Sequence, residues 1–435
     1  MPTPNSKNRS SLGALVIFFV ALNLRPAIIA VGPLLSQIGV DLQWGESLQG
    51  LLGALPLLAF AALSFMVHGL SSRFGSDRTL IAALVLLAVG CALRSAFGAT
   101  AVWLGTVLVG ASIAVGNVLA PVIVKRDFPG HVSMATGVYS ACVTAGSSIA
   151  GLLASGMADA FGGWRPALAF WAIPAVVAAV LWLARCRIDS PGAQGKCPSG
   201  EAEIAAASEE LRAAESRATE TGTDVPTCKG TTDVRHESVE TPLWKRPTTW
   251  LVTAFMGLQS AAFYTFCNWL PSFAVSAGFS AGEAGIHLFA FQILGVVSGL
   301  VIPKFMYARG NQATAALVAS VPMAVAAAGW MLIPQASFVW AVIGGFAQGA
   351  SLVVALTLIS LRGKTHDETV ALSGIAQSFG YLLAACGPSV FGALAELTGG
   401  FFAPLAFMVA LAVAQCVVGA IAGGLDGCED PSRAA

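Results

Sequence analysis

The stretch LGALVIFFVALNLRPAIIAVGPLL, residues 12–35, decides the class of fold that this chain adopts. It is apolar except for Asn23 and Arg25, and it is long enough to cross a bilayer as a helix. A guanidinium at the centre of a membrane helix costs about 2.5–3.5 kcal/mol on insertion scales, and arginine keeps its proton in proteins. We therefore expect Arg25 to face a protein carboxylate, a water-filled cavity or an anionic ligand.

The composition is that of an integral membrane protein. Of the 435 residues, 56% are hydrophobic and 11% are charged, whereas soluble domains carry roughly 25% charged residues. Twelve apolar stretches predict an all-α membrane protein with twelve transmembrane helices. The predicted spans are 12–34, 48–69, 79–97, 102–123, 132–156, 166–185, 249–270, 283–303, 313–333, 338–360, 369–392 and 403–424.

Basic residues orient this predicted bundle. Lys7 and Arg9 precede the first span, and Arg185 and Arg187 follow the sixth. Most basic loop residues fall on that same side, and an excess of Lys and Arg marks cytoplasmic loops. We therefore expect both termini, and the long segment between the sixth and seventh spans, to be cytoplasmic.

The predicted segments are a cytoplasmic tail (1–11), a six-helix half (12–185), a linker (186–247), a second six-helix half (248–424) and a short tail (425–435). The linker holds eleven of the 23 acidic residues and few apolar ones. This composition predicts a flexible cytoplasmic linker, with a regulatory module as the alternative.

An internal repeat relates the two halves. Gly162–Phe170 (GGWRPALAF) resembles Gly399–Phe407 (GGFFAPLAF), a displacement of 237 positions, and the same displacement places Asp159 on Glu396. Six helices per half give the halves the same orientation. Two parallel six-helix halves are the architecture of a major-facilitator transporter, in which the substrate site lies near the midplane between the halves.

The repeat makes Arg25 a one-sided charge, because its equivalent position is Ala262. The predicted spans contain almost no acids, since Asp159, Glu283 and Glu396 lie at helix ends. A buried arginine in a helix-packing network would need such an acid. A bound anion, held by charge-assisted and bidentate hydrogen bonds, is therefore the favoured partner.

Neutral polar residues within the spans are candidates to complete the site. Tyr264 and Asn268 share a face of the seventh helix, and Gln377 and Tyr381 share a face of the eleventh. The alternative is hydrogen bonding between helices, which is common in membrane bundles. With Arg25, the predicted substrate-binding residues are Asn117, Tyr264, Asn268, Gln292, Gln377 and Tyr381.

Further residues have weaker signals. Ser140, Thr144 and Ser148 form a polar stripe in the fifth helix, and Phe263 could flank a flat ligand or simply pack. The predicted coupling or gate residues are Glu283, His287 and Arg94, with an interfacial histidine and a helix-end arginine as the alternatives.

Three motifs resemble a known family. They are ALNLRP at 21–26, followed by GPLL at 32–35; GNVLAP at 116–121, followed by KRDFP at 125–129; and ALSGIAQSFGYLLAACGP at 371–388. The chain resembles the cyanate/nitroimidazole permeases (CynX/NimT) of the major facilitators, with most likeness to the 2-nitroimidazole transporter branch. The resemblance implies a bacterial inner-membrane transporter of small anionic or weakly acidic compounds. It places Arg25, Asn117 and Gln377 in matched motifs.

The general major-facilitator motif after the second helix is degenerate in this chain. It reads SSRFGSDR at 71–78, with Ser72 at the place where the family has an aspartate. The charge latch that such an aspartate provides is therefore in question.

The expected function is alternating-access transport of a small anionic or azole-like compound. A multidrug or metabolite exporter of the same fold, and a membrane sensor, are the alternatives. No enzyme motif, metal-ligand spacing or cofactor fingerprint is present in the sequence, and the nine cysteines are expected to be free thiols. The expected partners are a small-molecule substrate and the lipid bilayer, with no nucleic acid, and the protein is expected to be a monomer.

Overall fold

The computed structural model describes residues 15–96, 98–128, 132–188, 242–302, 312–362 and 366–424. Within these residues twelve helices are long and apolar enough to cross a membrane, which confirms the predicted all-α fold. The predicted terminal tails and linker residues 189–241 lie outside the described residues. The helices are α1 (Leu15–Leu42), α2 (Glu46–Phe74), α3 (Ser76–Arg94), α4 (Ala99–Asp127), α5 (Val132–Phe161), α6 (Trp164–Ala169 and Ala172–Ile188), α7 (Pro247–Ser276), α8 (Ala281–Val301), α9 (Ala313–Leu332), α10 (Ser337–Arg362), α11 (His366–Thr398) and α12 (Phe402–Gly424).

The first helix, α1, is interrupted at Arg25. A helical segment over residues 15–23 ends there, and a single turn, Pro26–Ile29, follows before a 3-10 turn at Gly32–Leu34. Pro26 and Pro33 have no N–H to donate, so each breaks the ladder of helical hydrogen bonds. The chain therefore changes direction where the charge lies.

The two halves repeat each other, as the sequence displacement predicts. Helices α5 and α11 end at Phe161 and Thr398, which are 237 positions apart. Both are followed by a glycine with positive φ, Gly162 at 79° and Gly399 at 66°. This left-handed conformation favours glycine, because a Cβ would crowd the backbone there. The same turn chemistry thus links α5 to α6 and α11 to α12.

The bundle has two ends, which we name by the linker. The linker side carries Ile188 at the end of α6 and Pro247 at the start of α7; the far side carries the starts of α2 and α8.

The halves meet tightly on the far side. A side chain added at Gly50 of α2 would collide with the carbonyl of Pro388 in α11, and one at Gly392 would collide with the carbonyl of Glu46. Glu396 also accepts a hydrogen bond from the N–H of Ser47 at 2.8 Å. A carboxylate is favourable at a helix N-terminus. One half therefore caps a helix of the other.

On the linker side, charges brace the N-terminal half internally. Arg126 of α4 forms two hydrogen bonds with the carboxylate of Asp77 in α3, at 2.8 and 3.1 Å. Asp127 bonds both Arg126, at 3.0 Å, and Arg185 of α6, at 2.6 Å. Ser72 stands where the general major-facilitator motif has an aspartate, but Asp77 supplies a carboxylate five positions further along the chain. These pairs tie α3, α4 and α6 within one half.

We expect Gly50→Leu to open the far side, because the added side chain cannot fit against the Pro388 carbonyl. The change is measured with spin labels at Val40 and Leu397, which are 83% and 81% exposed on the far side of opposite halves. The native cysteines are replaced for this experiment. The mean distance between labels should increase.

Gly156→Leu is the matched control, because nothing lies within 4 Å of a side chain added at Gly156 of α5. The same label distance in the Gly50 variant and in the parent protein would contradict this account of the far-side contact.

Candidate substrate-binding cavity

A cavity of about 270 Å³ lies between the two halves. Leu300 of α8 and Leu356 of α10 line the cavity near the linker-side ends of their helices, so the cavity extends to that side of the bundle. Its other end stops short of the close contacts on the far side. The polar and aromatic residues that line it are Arg25, Ser140, Thr144, Ser147, Gln259, Ser260, Phe263, Tyr264, Phe291, Gln292, Gln348 and Tyr381.

Arg25 brings a positive charge into this cavity. The break in α1 places Arg25 at the turn before Pro26, where the side chain is half-buried. Its Nε is buried and has no hydrogen-bond partner among the described residues. The guanidinium carbon lies 5.5 Å from the centroid of the Phe263 ring, a cation–π contact across the halves. No acidic residue is among the described residues that line the cavity.

Aromatic rings form the wall opposite Arg25. Phe263 and Tyr264 of α7 meet edge to face with centroids 5.0 Å apart, and Phe263 stacks on Phe291 of α8 at 6.3 Å. Tyr264 also meets Tyr381 of α11 at 6.5 Å. The Tyr264 hydroxyl has no partner among the described residues, although the side chain is 5% exposed. A planar ligand could stack here and accept a hydrogen bond from that hydroxyl.

Buried amides add hydrogen-bonding groups from the C-terminal half. Gln348 of α10 donates from Nε2 to the Oε1 of Gln259 in α7 at 3.0 Å, and Gln259 donates to the Ser260 hydroxyl at 2.7 Å. This chain of bonds orients three side chains on one wall. Because a buried polar network is costly when part of it is unpaired, such a network holds its members in place.

The N-terminal half contributes hydroxyl groups from α5. Ser140, Thr144 and Ser147 lie at i, i+4 and i+7 and all line the cavity. Gln292 of α8 donates to the backbone carbonyl of Ser147 at 3.2 Å and so bridges the two halves. The Oε1 of Gln292 has no partner among the described residues. It therefore offers an acceptor to a ligand that carries an N–H.

Four residues predicted to bind substrate meet on the walls of this cavity: Arg25, Tyr264, Gln292 and Tyr381. The other three lie elsewhere. Asn268 lines a smaller, separate cavity, which Tyr264 also lines. Gln377 donates to the Ser373 hydroxyl at 2.9 Å, and Asn117 is half-buried in α4.

The predicted coupling or gate residues do not line this cavity. Glu283 forms a capping box with Ser280 at the start of α8. His287 is 5% exposed and packs between Phe279 and Phe338, with centroids 4.8 and 5.8 Å away. Arg94 is the last residue of α3, as the helix-end alternative predicts, and it lines the smaller cavity with 1% of its surface exposed.

Sequence reasoning missed Ser147, Gln259 and Phe291. A spacing of four residues along α5 predicts Ser148 in the polar stripe, but Ser148 does not line the cavity and Ser147 does. A helical wheel of 3.6 residues per turn places i+7 closer than i+8 to the face of residue i. Gln259 could have been found as a buried amide in an apolar span, whereas Phe291 has no signal that separates it from core residues.

Twelve membrane helices in two repeated halves, around a cavity that opens on one side, define a membrane transporter. The sequence profile of the Major Facilitator Superfamily matches residues 13–388, and the chain belongs to that superfamily.

Known proteins agree with this assignment. A 2-nitroimidazole transporter of Escherichia coli (strain K12) is 33% identical over 419 residues, which cover 96% of this chain and 97% of that protein. The cyanate transport protein CynX of the same organism is 25% identical over 413 residues, covering 93% and 94%. The resemblance found in the motifs is thus confirmed.

A solved structure shares the fold. The crystal structure of a bacterial homologue of the human lysosomal transporter Spinster, in an inward-facing and occupied conformation, matches with a TM-score of 0.70. The identity is 15%, and the match covers 99% of this chain and 100% of that one.

We expect Tyr264→Phe to weaken ligand binding about 2- to 10-fold, the effect of one lost hydrogen bond. Thermal stability should be unchanged, since the hydroxyl has no protein partner among the described residues. Isothermal titration of purified protein with small anionic or azole-like compounds measures the affinity.

Tyr139→Phe is the matched control, because its buried hydroxyl also has no partner among the described residues but Tyr139 does not line the cavity. Equal effects of the two substitutions would contradict a direct contact from Tyr264.

Proposed function

We propose that this protein carries a small anionic or weakly acidic, azole-like compound across the bacterial inner membrane by alternating access. One observation carries the proposal: the Arg25 guanidinium faces an aromatic-lined cavity that has no acid among its described lining residues. A cation in such a place attracts an anion, and it favours a planar one that two N–H groups can hold together.

The relatives narrow the chemistry. Their printed substrates are 2-nitroimidazole and cyanate. A flat ring suits the wall of Phe263 and Tyr264, and a negatively charged or partially charged oxygen suits Arg25. The Gln292 amide, whose Oε1 is unpaired among the described residues, accepts from a ring N–H.

Our proposal places the substrate among Arg25, Tyr264, Gln292 and Tyr381. Asn117, Asn268 and Gln377, which were predicted alongside them, do not line the large cavity, and their contact with substrate stays a prediction.

The positive-inside rule assigns the linker side to the cytoplasm. Arg73, Arg126, Arg185 and Arg362 all lie at that end of their helices. In this orientation both termini are cytoplasmic, the cavity opens inward, and segment 186–247 joins the six-helix halves 12–185 and 248–424 on the cytoplasmic side. We further propose that the protein works as a monomer, because one chain supplies both halves of the cavity.

We expect Arg25→Ala to lower substrate affinity about tenfold to a hundredfold, the loss of a hydrogen-bonded charge contact. Arg25→Lys should restore only part of the affinity, because a point charge replaces the planar fork. Counterflow of labelled cyanate or 2-nitroimidazole in proteoliposomes, at matched protein amounts, measures the effect on transport.

Arg73→Ala is the control, since Arg73 is exposed at the linker-side end of α2 and does not line the cavity. Wild-type counterflow by the Arg25→Ala protein would refute the proposed role of Arg25.

The exporter alternative makes a different prediction about protons. Drug exporters driven by protons use a membrane-embedded acid, and the described residues that line this cavity include none. We therefore expect a protonophore to leave net substrate flux under an imposed pH gradient unchanged, with valinomycin and potassium clamping the membrane potential. A strong loss of net flux would favour the proton-coupled exporter and direct attention to Glu283 and His287.

A further inference from the structure

A second buried arginine lies beyond Tyr264, towards the far side. Arg94 ends α3 and is 1% exposed. It lines a separate cavity of about 20 Å³, which has room for one water-sized or halide-sized species. Tyr264 lines this cavity as well as the large one, so the two arginines face opposite sides of the same residue.

Arg94 uses one N–H to hold the break in α1. Its Nη1 donates to the carbonyl of Ala27 at 2.7 Å. In a regular helix that carbonyl would accept from Val31, but the N–H of Val31 bonds Ile28 instead, at 3.2 Å. Arg94 therefore takes up a carbonyl that the irregular turn of α1 has released.

The rest of the Arg94 guanidinium has no protein partner. Its Nε and Nη2 are buried and unpaired within the described residues. None of the described residues lining the small cavity is acidic, and the neighbouring thiol of Cys267 is a neutral group at ordinary pH. A full positive charge is thus buried with a single carbonyl against it. An uncompensated buried charge is strongly unfavourable.

The other polar groups at the cavity favour an anion. The Nδ2 of Asn268 is unpaired within the described residues and can donate, whereas the single hydroxyl proton of Tyr264 is assigned to the substrate site. Thr106 donates its proton to the Val102 carbonyl at 2.7 Å and so offers the cavity no donor. The unpaired donors at this cavity are thus the Arg94 guanidinium and the Asn268 amide, and none of its described lining residues is acidic.

We propose that the cavity between Arg94, Tyr264 and Asn268 binds a halide-sized inorganic anion, chloride in the cell. The anion neutralises Arg94 and leaves Arg25 as the charge available to the substrate. Because Arg94 comes from the N-terminal half and Tyr264 and Asn268 from the C-terminal half, the bound anion also stabilises the conformation closed on the far side. This site is separate from the proposed substrate site.

The competing occupant is a water molecule. Pro56 lines the cavity and has no N–H, so the carbonyl of Leu52, which also lines it, lacks its helical donor. A water could donate to that carbonyl and accept from Arg94. Only an experiment that distinguishes an anion from water tests the proposal.

Crystals of the full-length protein grown in sodium bromide provide that test. We expect an anomalous difference peak for bromide beside Arg94. A map with no bromide peak in this cavity, or with water density only, would overturn the proposal, and neither result depends on any variant or on the identity of the substrate.

Thermal unfolding in sodium chloride or sodium gluconate, at equal ionic strength, provides a second test. Chloride should raise the midpoint saturably in the wild-type protein and in Arg25→Gln, but not in Arg94→Gln. Asn268→Leu keeps the bond from Arg94 to Ala27 and should weaken the apparent chloride affinity about 2- to 10-fold, the effect of one lost hydrogen bond. The Asn268→Leu variant therefore tests the site even if the Arg94→Gln protein does not fold.

The Arg25→Gln variant separates the two sites. A chloride effect that disappears in Arg25→Gln and persists in Arg94→Gln would place the halide in the large cavity and overturn the proposal. Loss of substrate transport in the Arg25 variants, with the chloride effect intact, would leave both proposals standing.

Discussion

A positive charge in the hydrocarbon region must be neutralised, and this chain supplies almost no acids with which to do it. Arg25 and Arg94 both lie in cavities whose described lining residues include no carboxylate. Instead of acids, the groups that contact these arginines are a backbone carbonyl and an aromatic ring face, and each guanidinium borders a cavity. Arg94 bonds the Ala27 carbonyl, and Arg25 lies over Phe263. These neutral contacts orient each guanidinium without cancelling its charge. Each positive charge can therefore still attract an anion.

The two halves share a fold but divide the chemistry of the cavity between them. The N-terminal half contributes the Arg25 charge and the hydroxyls of α5, whereas the C-terminal half contributes aromatic rings and amides. The equivalent of Arg25 in the second half is Ala262, which is fully buried. In the proposed site, charge from one half and stacking and hydrogen bonds from the other would hold the two ends of a ligand. Such a division suits a small ligand with one charged end and one flat apolar part.

The closed far side depends on residues without side chains. Gly50, Gly392 and Gly32 each lie against a backbone carbonyl of the opposite half. These approaches bring backbone against backbone, which is the packing that small residues permit between membrane helices. Ser47 and Glu396 provide a polar contact that forms when this side closes.

The sequence by itself determined the membrane class, the twelve spans and the repeat, because hydrophobic length and a displaced motif depend on local pattern alone. It also drew attention to Arg25 as a charge within an apolar span. It also predicted Tyr264, Gln292 and Tyr381 as cavity residues, since polar side chains in apolar spans are few. Only the tertiary structure decided that Ser147 rather than Ser148 faces the cavity, that Gln377 bonds Ser373 instead, and that Arg94 is buried beside Asn268. Those outcomes depend on the rotation of each helix about its own axis and on contacts between residues far apart in the chain, and neither is encoded in the spacing of residues along one helix.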